Sequence, residues 1–482
     1  MIAWIESARA AAPAAMLIAP LLGAIFASIL PRGIGWTVSV LLALTAAIAA
    51  LDLARGGVLS LAPFDLRVDA ITAITAPILA CAGAACVIGA RFLAPSDSGA
   101  EAAPSALSLL QLAWFGWMGA AFANDVLAQF GCLTIGWLSL CGLAAFGAER
   151  DRAALSAAFR MLIWCGAAGA AFAFGAALVH HATGSFDLAE IASAAGAAER
   201  PRILGLGFAL MLSGAAALAG IAPLHSWTPA LYGRGARLAS LAFASVGAIA
   251  ALTLIARLAL AAAIAGAPIE RGVSIALATL GALSVAIGSV QAIGARDLRR
   301  LMAYAGAAQG GAILIALSLG AAAGHAAAFM HMITVSLIAL GVLGGAAIIE
   351  GRFPLSHLDG LGRRAPLAGA AMAIGAMGLV GAPLTLGFLS RWRLIEAALA
   401  QAWWWAAGVM IAASLAAVFY AGRVIARLYV RRPGDEERAA WRVSLSPAHA
   451  LAICAAIGFG LNATALWQAA SLAGELLQAG GP

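Results

Sequence analysis

The chain contains no lysine: all 28 of its Lys-or-Arg positions among 482 residues are arginine. Charge of either sign is scarce, at 10% of residues against 63% hydrophobic. Soluble domains carry about a quarter charged residues, so an ordinary water-soluble fold is excluded. Strand-like alternation of polar and apolar residues is also missing, which argues against a membrane barrel. The six cysteines, Cys81, Cys86, Cys132, Cys141, Cys165 and Cys454, lie in apolar runs without metal-ligand spacing. They read as small buried hydrophobes. No nucleophile–base pair, metal-ligand cluster or phosphate loop stands out, so neither a catalytic or redox centre nor a cofactor is expected in this chain.

What remains is a succession of apolar runs, each close to the roughly 20 residues that span a bilayer core as a helix. In hydrocarbon the backbone must satisfy its own hydrogen bonds, and helices do so within one segment. The runs predict about fourteen transmembrane helices at 12–30, 34–52, 70–92, 105–123, 126–146, 156–180, 203–222, 237–264, 272–294, 300–319, 324–349, 366–388, 402–428 and 446–474. The twelfth is expected to continue past a break to about 399. The first, near Pro13 to Leu30, reads as a retained helix and not a cleaved signal peptide.

The formal charge of +7 does not point to nucleic acid, because most arginines sit between apolar runs. They concentrate in alternate loops, among them Arg234, Arg296, Arg299, Arg300, Arg363, Arg364 and Arg431. The positive-inside rule then puts both termini on the periplasmic side. The run Trp403-Trp404-Trp405 reads as an outer interface belt.

Two helices carry a matched interruption: Leu218-Ala-Gly-Ile-Ala-Pro223-Leu-His225-Ser-Trp227 in the seventh and Leu379-Val-Gly381-Ala-Pro383-Leu-Thr-Leu-Gly387-Phe388 in the twelfth. Gly/Pro-interrupted helices in corresponding halves are the sequence mark of an inverted-repeat transporter, although each is also compatible with a packing kink.

The segment Gly220–Tyr232 resembles the "PFHxWxPDvY" motif of the antiporter-like subunits of NADH–quinone oxidoreductase, group 4 membrane hydrogenases and multisubunit cation/proton antiporters. Asp297–Gln309 resembles their "DxKRxLAYSSisQ" segment, and His357–Arg364 with Pro366 their "l.GLgrr.P" loop. Gly378–Arg391 resembles "slaGiPPlaGFwsK". The four motifs run in order over about residues 100–430, and the Trp-Thr-Pro-x-x-Tyr wording is closest to the N-type subunit. The resemblance implies an all-α integral membrane fold with an inverted repeat of five helices and interrupted helices seven and twelve. It divides the chain into helices one to three at 1–104, a first repeat at 105–265, a second at 266–430, and a loop with a last helix at 431–482.

In that family a glutamate in helix five and lysines in helices seven, eight and twelve carry protons, because burial brings a lysine toward neutrality. Here the glutamate falls near Thr134 or Leu138, the helix-seven lysine on Leu218 and the helix-eight lysine on Ala248. The helix-twelve lysine aligns with Arg391, which keeps its charge and does not titrate. The motif acid after Trp-x-Pro is Ala230. Titratable or charged groups remain at His331, Tyr304, His225 and Arg391. His331 reads as a proton carrier or as a neutral histidine bonded to a neighbouring helix. His225 reads as a cap of the broken helix, Arg393 with Glu396 as an i,i+3 ion pair, and Arg257 as a side chain reaching the outer interface. A metal site at His180-His181 with Asp187 and Glu190 is not expected.

The resemblance therefore implies a membrane-arm subunit of a multisubunit redox-linked complex in a bacterial inner membrane, its partners being other membrane subunits and lipid. Its degenerate relay suggests a structural or coupling role. Two alternatives stay open: a proton path rewired through histidine and water, and a stand-alone secondary transporter.

Overall fold

The computed structural model describes residues 2–53, 60–61, 66–93, 103–146, 152–195, 200–346, 354–431, 467–468, 470–472 and 474–475. The chain is almost entirely helical: α1 (Ile2–Ile29), α2 (Arg32–Leu53), α3 (Ala70–Leu93), α4 (Ala103–Phe122), α5 (Val126–Ala144) and α6 (Arg152–Thr183) come first. Helix seven is broken into α7a (Pro201–Leu218) and α7b (Thr228–Arg234). Next come α8 (Arg237–Ile264), α9 (Ala267–Gly294), α10 (Leu298–Ser318) and α11 (Ala322–Gly345). Helix twelve is broken into α12a (Pro366–Val380) and α12b (Leu386–Ala400), and α13 (Trp404–Tyr429) follows. Among the described residues, 12 helices are long and apolar enough to cross a membrane, and α12a is a shorter apolar helix. The expected fourteenth helix, 446–474, lies almost wholly outside the described residues.

Boundaries follow the hydropathy pattern with instructive differences. Helix one starts ten residues earlier than its apolar run predicts, and helix six is longer at both ends. The short helix Leu188–Ala195 and a pair of two-residue strands, Ser60–Leu61 against Leu66–Arg67, lie in connections that carry too little apolar sequence to register as spans. Helix eight is not uniform, because Phe243–Gly247 forms a π-helical turn. Within that turn the Ser245 carbonyl accepts the Ser336 hydroxyl of α11 at 2.8 Å.

The helices sort by what they bury. α8, α10 and α11 occupy the interior, whereas α2, α6 and α13 turn Ile48, Phe159 and Phe419 outward. With apolar tails outside as well as apolar side chains inside, close backbone approach and polar links do much of the holding. α9 and α10 meet at Gly281 and Gly311; a Cβ at Gly281 would stand 2.7 Å from the Gly311 carbonyl oxygen.

The polar links are largely arginine forks on carbonyls at helix ends. The last four carbonyls of a helix have no partner within it, and a guanidinium offers five donors in fixed directions. Arg257 of α8 reaches to the start of α3 and the end of α4. It is buried, bonds Asp69 through both terminal nitrogens at 2.5 and 3.0 Å, and donates to Thr72 Oγ1 at 2.6 Å and to the Ala121 carbonyl ending α4 at 2.9 Å. Arg299 donates to the Gly235 carbonyl after α7b at 2.6 Å. Arg423 of α13 reaches the Ala292 and Ala295 carbonyls at the end of α9, at 3.1 and 3.0 Å. Arg427 pairs with Asp359 at 3.1 Å, tying α13 to the 357–364 loop.

Asp69 lies just before α3. Burial pushes its carboxyl up, but Arg257, the Thr72 amide and the Thr72 hydroxyl outweigh this and hold it below its ordinary 3.8. A depressed carboxyl contributes stability above its unfolded value and loses it as pH falls through the folded one. The pair therefore stays ionised at neutral pH. Arg257→Leu strands a buried carboxylate and is expected to cost about 3–5 kcal/mol, read as a lower unfolding midpoint in detergent. The double variant Asp69→Leu/Arg257→Leu recovers most of that loss, and Arg257→Lys, which keeps charge without the fork, falls between.

Candidate functional site

Each helix break closes with a side chain that returns to the upstream half. In helix seven, α7a ends at Leu218, Gly220 takes a left-handed φ of 73°, and the Ala222–Pro223 peptide is cis. The Trp227 indole N–H donates to the Ala217 carbonyl at 3.0 Å. The Ala222 amide donates to Ser284 Oγ at 2.9 Å, and that hydroxyl donates to the Ala307 carbonyl at 2.7 Å, fastening the break to α9 and α10. In helix twelve, Gly381 caps α12a with φ 79°, and Thr385 Oγ1 accepts the Phe388 amide at the start of α12b. Arg391 donates through Nη2 to the Leu379 carbonyl at 2.6 Å. One break is closed by a neutral indole, the other by a cation.

Arg391 lies at the centre of a buried polar cluster. Its Nη2 also donates to Gln309 Oε1 at 3.1 Å, and Nη1 donates to Ser414 Oγ at 2.8 Å. Gln309 sits near the middle of α10, and His331 is buried in α11. His331 Nε2 is 3.0 Å from the same Gln309 oxygen, and Nδ1 is 3.0 Å from Ser390 Oγ. Arginine only donates, so Gln309 Oε1 accepts from Arg391 and also from His331 Nε2–H. The neutral ring closes the network, with Nδ1 accepting from the Ser390 hydroxyl. A second proton on His331 would turn Ser390 toward the Gly387 carbonyl at 3.2 Å and would set two cations on one glutamine oxygen.

The other expected residues lie apart from this cluster. His225 is buried in the helix-seven break; its backbone carbonyl caps α7b by accepting the Thr228 amide at 2.9 Å, while its ring reaches Gln291 Oε1 of α9 at 2.7 Å. Tyr304 stands edge-on to that ring, with centroids 6.2 Å apart. Arg393 and Glu396 form the expected pair at 2.8 Å on a partly exposed surface, where Arg393 also stacks over Trp467 at 4.3 Å. Glu396 thus takes no part in the buried cluster. Leu218 is buried beside the first break, Ala248 follows the π-turn, and Leu138 faces outward at 55% exposure while Thr134 is half-buried. His181 bonds Arg200 at 2.9 Å and His180 stacks on Phe186; among the described residues no group of three potential metal ligands exists.

Two cavities meet at Gln309. One is bounded by Gly220, Thr228, Tyr232, Phe243, Ala248 and Val335. The other, smaller, is bounded by Ser289, Arg391, Leu394, Met410 and Tyr420. Sequence reading singled out Arg391 and His331 but missed Gln309, Ser390, Ser414 and Ser289. Gln309 closes the Asp297–Gln309 motif, and its place in that motif was the available signal.

Two interrupted helices among the spans, one of them broken at its middle beside a buried polar cluster, mark a multi-pass membrane protein. The chain belongs to the family described as "NADH:quinone oxidoreductase/Mrp antiporter, TM", whose model matches residues 123–417. It is 30% identical over 402 residues to NADH-quinone oxidoreductase subunit N of Cereibacter sphaeroides, covering 82% of this chain and 84% of that protein. With the subunit N of Chromohalobacter salexigens the identity is 28% over 308 residues, spanning 62% of this chain and 63% of that protein. The same fold occurs in an archaeal membrane-bound sulfane sulfur reductase, with TM-score 0.85, 22% identity and 96% and 97% of the two chains covered. It occurs again in respiratory complex I from Thermus thermophilus, with TM-score 0.80, 24% identity and coverage of 95% and 98%. The Mrp complex from Dietzia sp. DQ12-45-1b gives TM-score 0.84 at 18% identity, covering 97% of each chain.

Two substitutions test the architecture of the cluster. Gly381→Ala forces a left-handed alanine whose Cβ would lie 2.7 Å from Arg391 Cδ, and a cost of about 1–3 kcal/mol is expected. Gln309→Leu leaves His331 Nε2–H without an acceptor, while Arg391 keeps the Leu379 carbonyl and Ser414, and a cost of about 1–3 kcal/mol is expected. Both are read from thermal unfolding midpoints of the purified chain in detergent.

Proposed function

We propose that this chain is an antiporter-like membrane-arm subunit of an NADH–quinone oxidoreductase-type complex that scaffolds or couples neighbouring subunits instead of pumping protons itself. The observation that carries the reading is the chemistry at the relay positions. Where the family pattern has titratable amines in helices seven and eight, this chain has Leu218 and Ala248. Where it has one in helix twelve, Arg391 is held by a carbonyl, an amide oxygen and a hydroxyl. A guanidinium stays protonated, so it can hold two half-helices together and cannot load and release a proton. The helix-five carboxylate has no counterpart at Thr134 or Leu138.

The chain would sit in a bacterial inner membrane with both termini periplasmic, an orientation supported by the distribution of its arginines. Its partners would be the other membrane subunits of the complex, and it would contain no redox centre. The repeats at 105–265 and 266–430 would be related by inversion, a reading supported by the matched closures of α7a by Trp227 and α12a by Arg391.

A second reading has its own observation. His225 contacts Gln291 and Tyr304, His331 and Arg391 share Gln309, and two cavities adjoin that glutamine. A file of water joining them across the membrane would make a rewired proton path.

The host complex, identified by its co-purifying subunits and reconstituted in liposomes, separates the two. His331→Gln is expected to leave the number of protons moved per electron unchanged. Abolished pumping in a fully assembled complex would overturn the scaffold reading.

A further inference from the structure

Arg391 has another consequence, independent of whether the chain moves protons. Its side chain is only 8% exposed, and no described carboxylate pairs with it. Charged groups at membrane depth face a partner or a polar cavity. What Arg391 has is three neutral acceptors, one of them the Leu379 carbonyl at the C-terminal end of α12a. A helix end carries about half an elementary charge, so that end offsets roughly half of the guanidinium charge. The N-terminal end of α12b, five residues before Arg391, adds positive potential of similar size. The balance near Arg391 is therefore positive.

A cavity adjoins this surplus, and it contains unused donors. Ser289 of α9 lines it with a hydroxyl that is buried and without a hydrogen-bond partner, and Arg391 Nε is likewise unpartnered. Ser289 is 6% exposed. Buried polar atoms almost always find partners. A hydroxyl left unbonded in the wall of a small cavity that a cation also lines is the arrangement that a small anion completes. Besides Gln309 and Tyr420, the walls between α9, α10, α12b and α13 are Ala308, Ala312, Leu394, Met410 and Ala413, which exclude a large or multiply charged ligand.

We propose that the cavity bounded by Ser289, Arg391 and Tyr420 binds a small monovalent inorganic anion. The anion neutralises the cation that closes helix twelve and accepts a hydrogen bond from Ser289.

The test uses the full chain in nanodiscs and chloride as probe, followed by the line width of its ³⁵Cl resonance. Broadening above that of empty nanodiscs is expected, reversed by bromide; reversal by bicarbonate at similar concentration extends the site to oxyanions, and its absence restricts it to halides. Ser289→Ala should weaken chloride binding about tenfold, as for the loss of one hydrogen bond to a charged group, and Arg391→Met should abolish it. Arg391→Lys keeps the charge and should retain binding, which guards against a misfolded methionine variant. Line widths equal to the empty-nanodisc baseline, or broadening unaffected by both Ser289→Ala and Arg391→Met, would overturn the proposal.

Discussion

A break in a helix at membrane depth frees carbonyls where no water stands ready to bond them. That constraint organises this molecule. Trp227 returns to the Ala217 carbonyl across ten residues, and Arg391 returns to the Leu379 carbonyl across twelve. The rest of the interior is arranged around keeping those two side chains in place. Ser284 fixes the first break from α9, and Gln309 of α10 holds the guanidinium that closes the second.

The absence of lysine takes on meaning in this setting. An ammonium is a point charge that can give up its proton when buried, whereas a guanidinium is a permanent fork. Arg257, Arg299, Arg391 and Arg423 each touch a carbonyl at or beside a helix end. Arg257 does so while also binding a carboxylate and a hydroxyl, a combination that three ammonium donors around one atom do not reproduce. These buried arginines link helix ends to one another, and a guanidinium keeps its proton while it does so.

His331 illustrates how packing decides what a titratable group can do. An intramembrane histidine invites a proton-carrier reading, yet both ring nitrogens are engaged, one by Ser390 and one by the glutamine oxygen that also serves Arg391. His225 keeps one nitrogen, Nδ1, without a partner and contacts Tyr304 by its edge. Of the two histidines, the one at the break is the freer, although the one in the middle of its helix looks the more functional in sequence.

Much was legible from sequence because it is local. Hydropathy over roughly 20 residues marks a span, Gly220 with Pro223 and Gly381 with Pro383 mark the breaks, and Arg393 with Glu396 can pair because a helix sets them one turn apart. The ordered motifs also pointed to the family that the comparisons bear out. What tertiary structure alone decided lies between helices. Asp69 meets Arg257 across 188 positions, His331 meets Gln309 across 22 and Arg391 meets Gln309 across 82. No periodicity encodes such a meeting, because which faces touch depends on where small residues let backbones approach. The π-turn at Phe243–Gly247 escaped as well, and a hydroxyl on another helix, Ser336, bonds a carbonyl within it. Sequence fixed where the chain crosses and breaks, and packing fixed which polar groups find one another once it has.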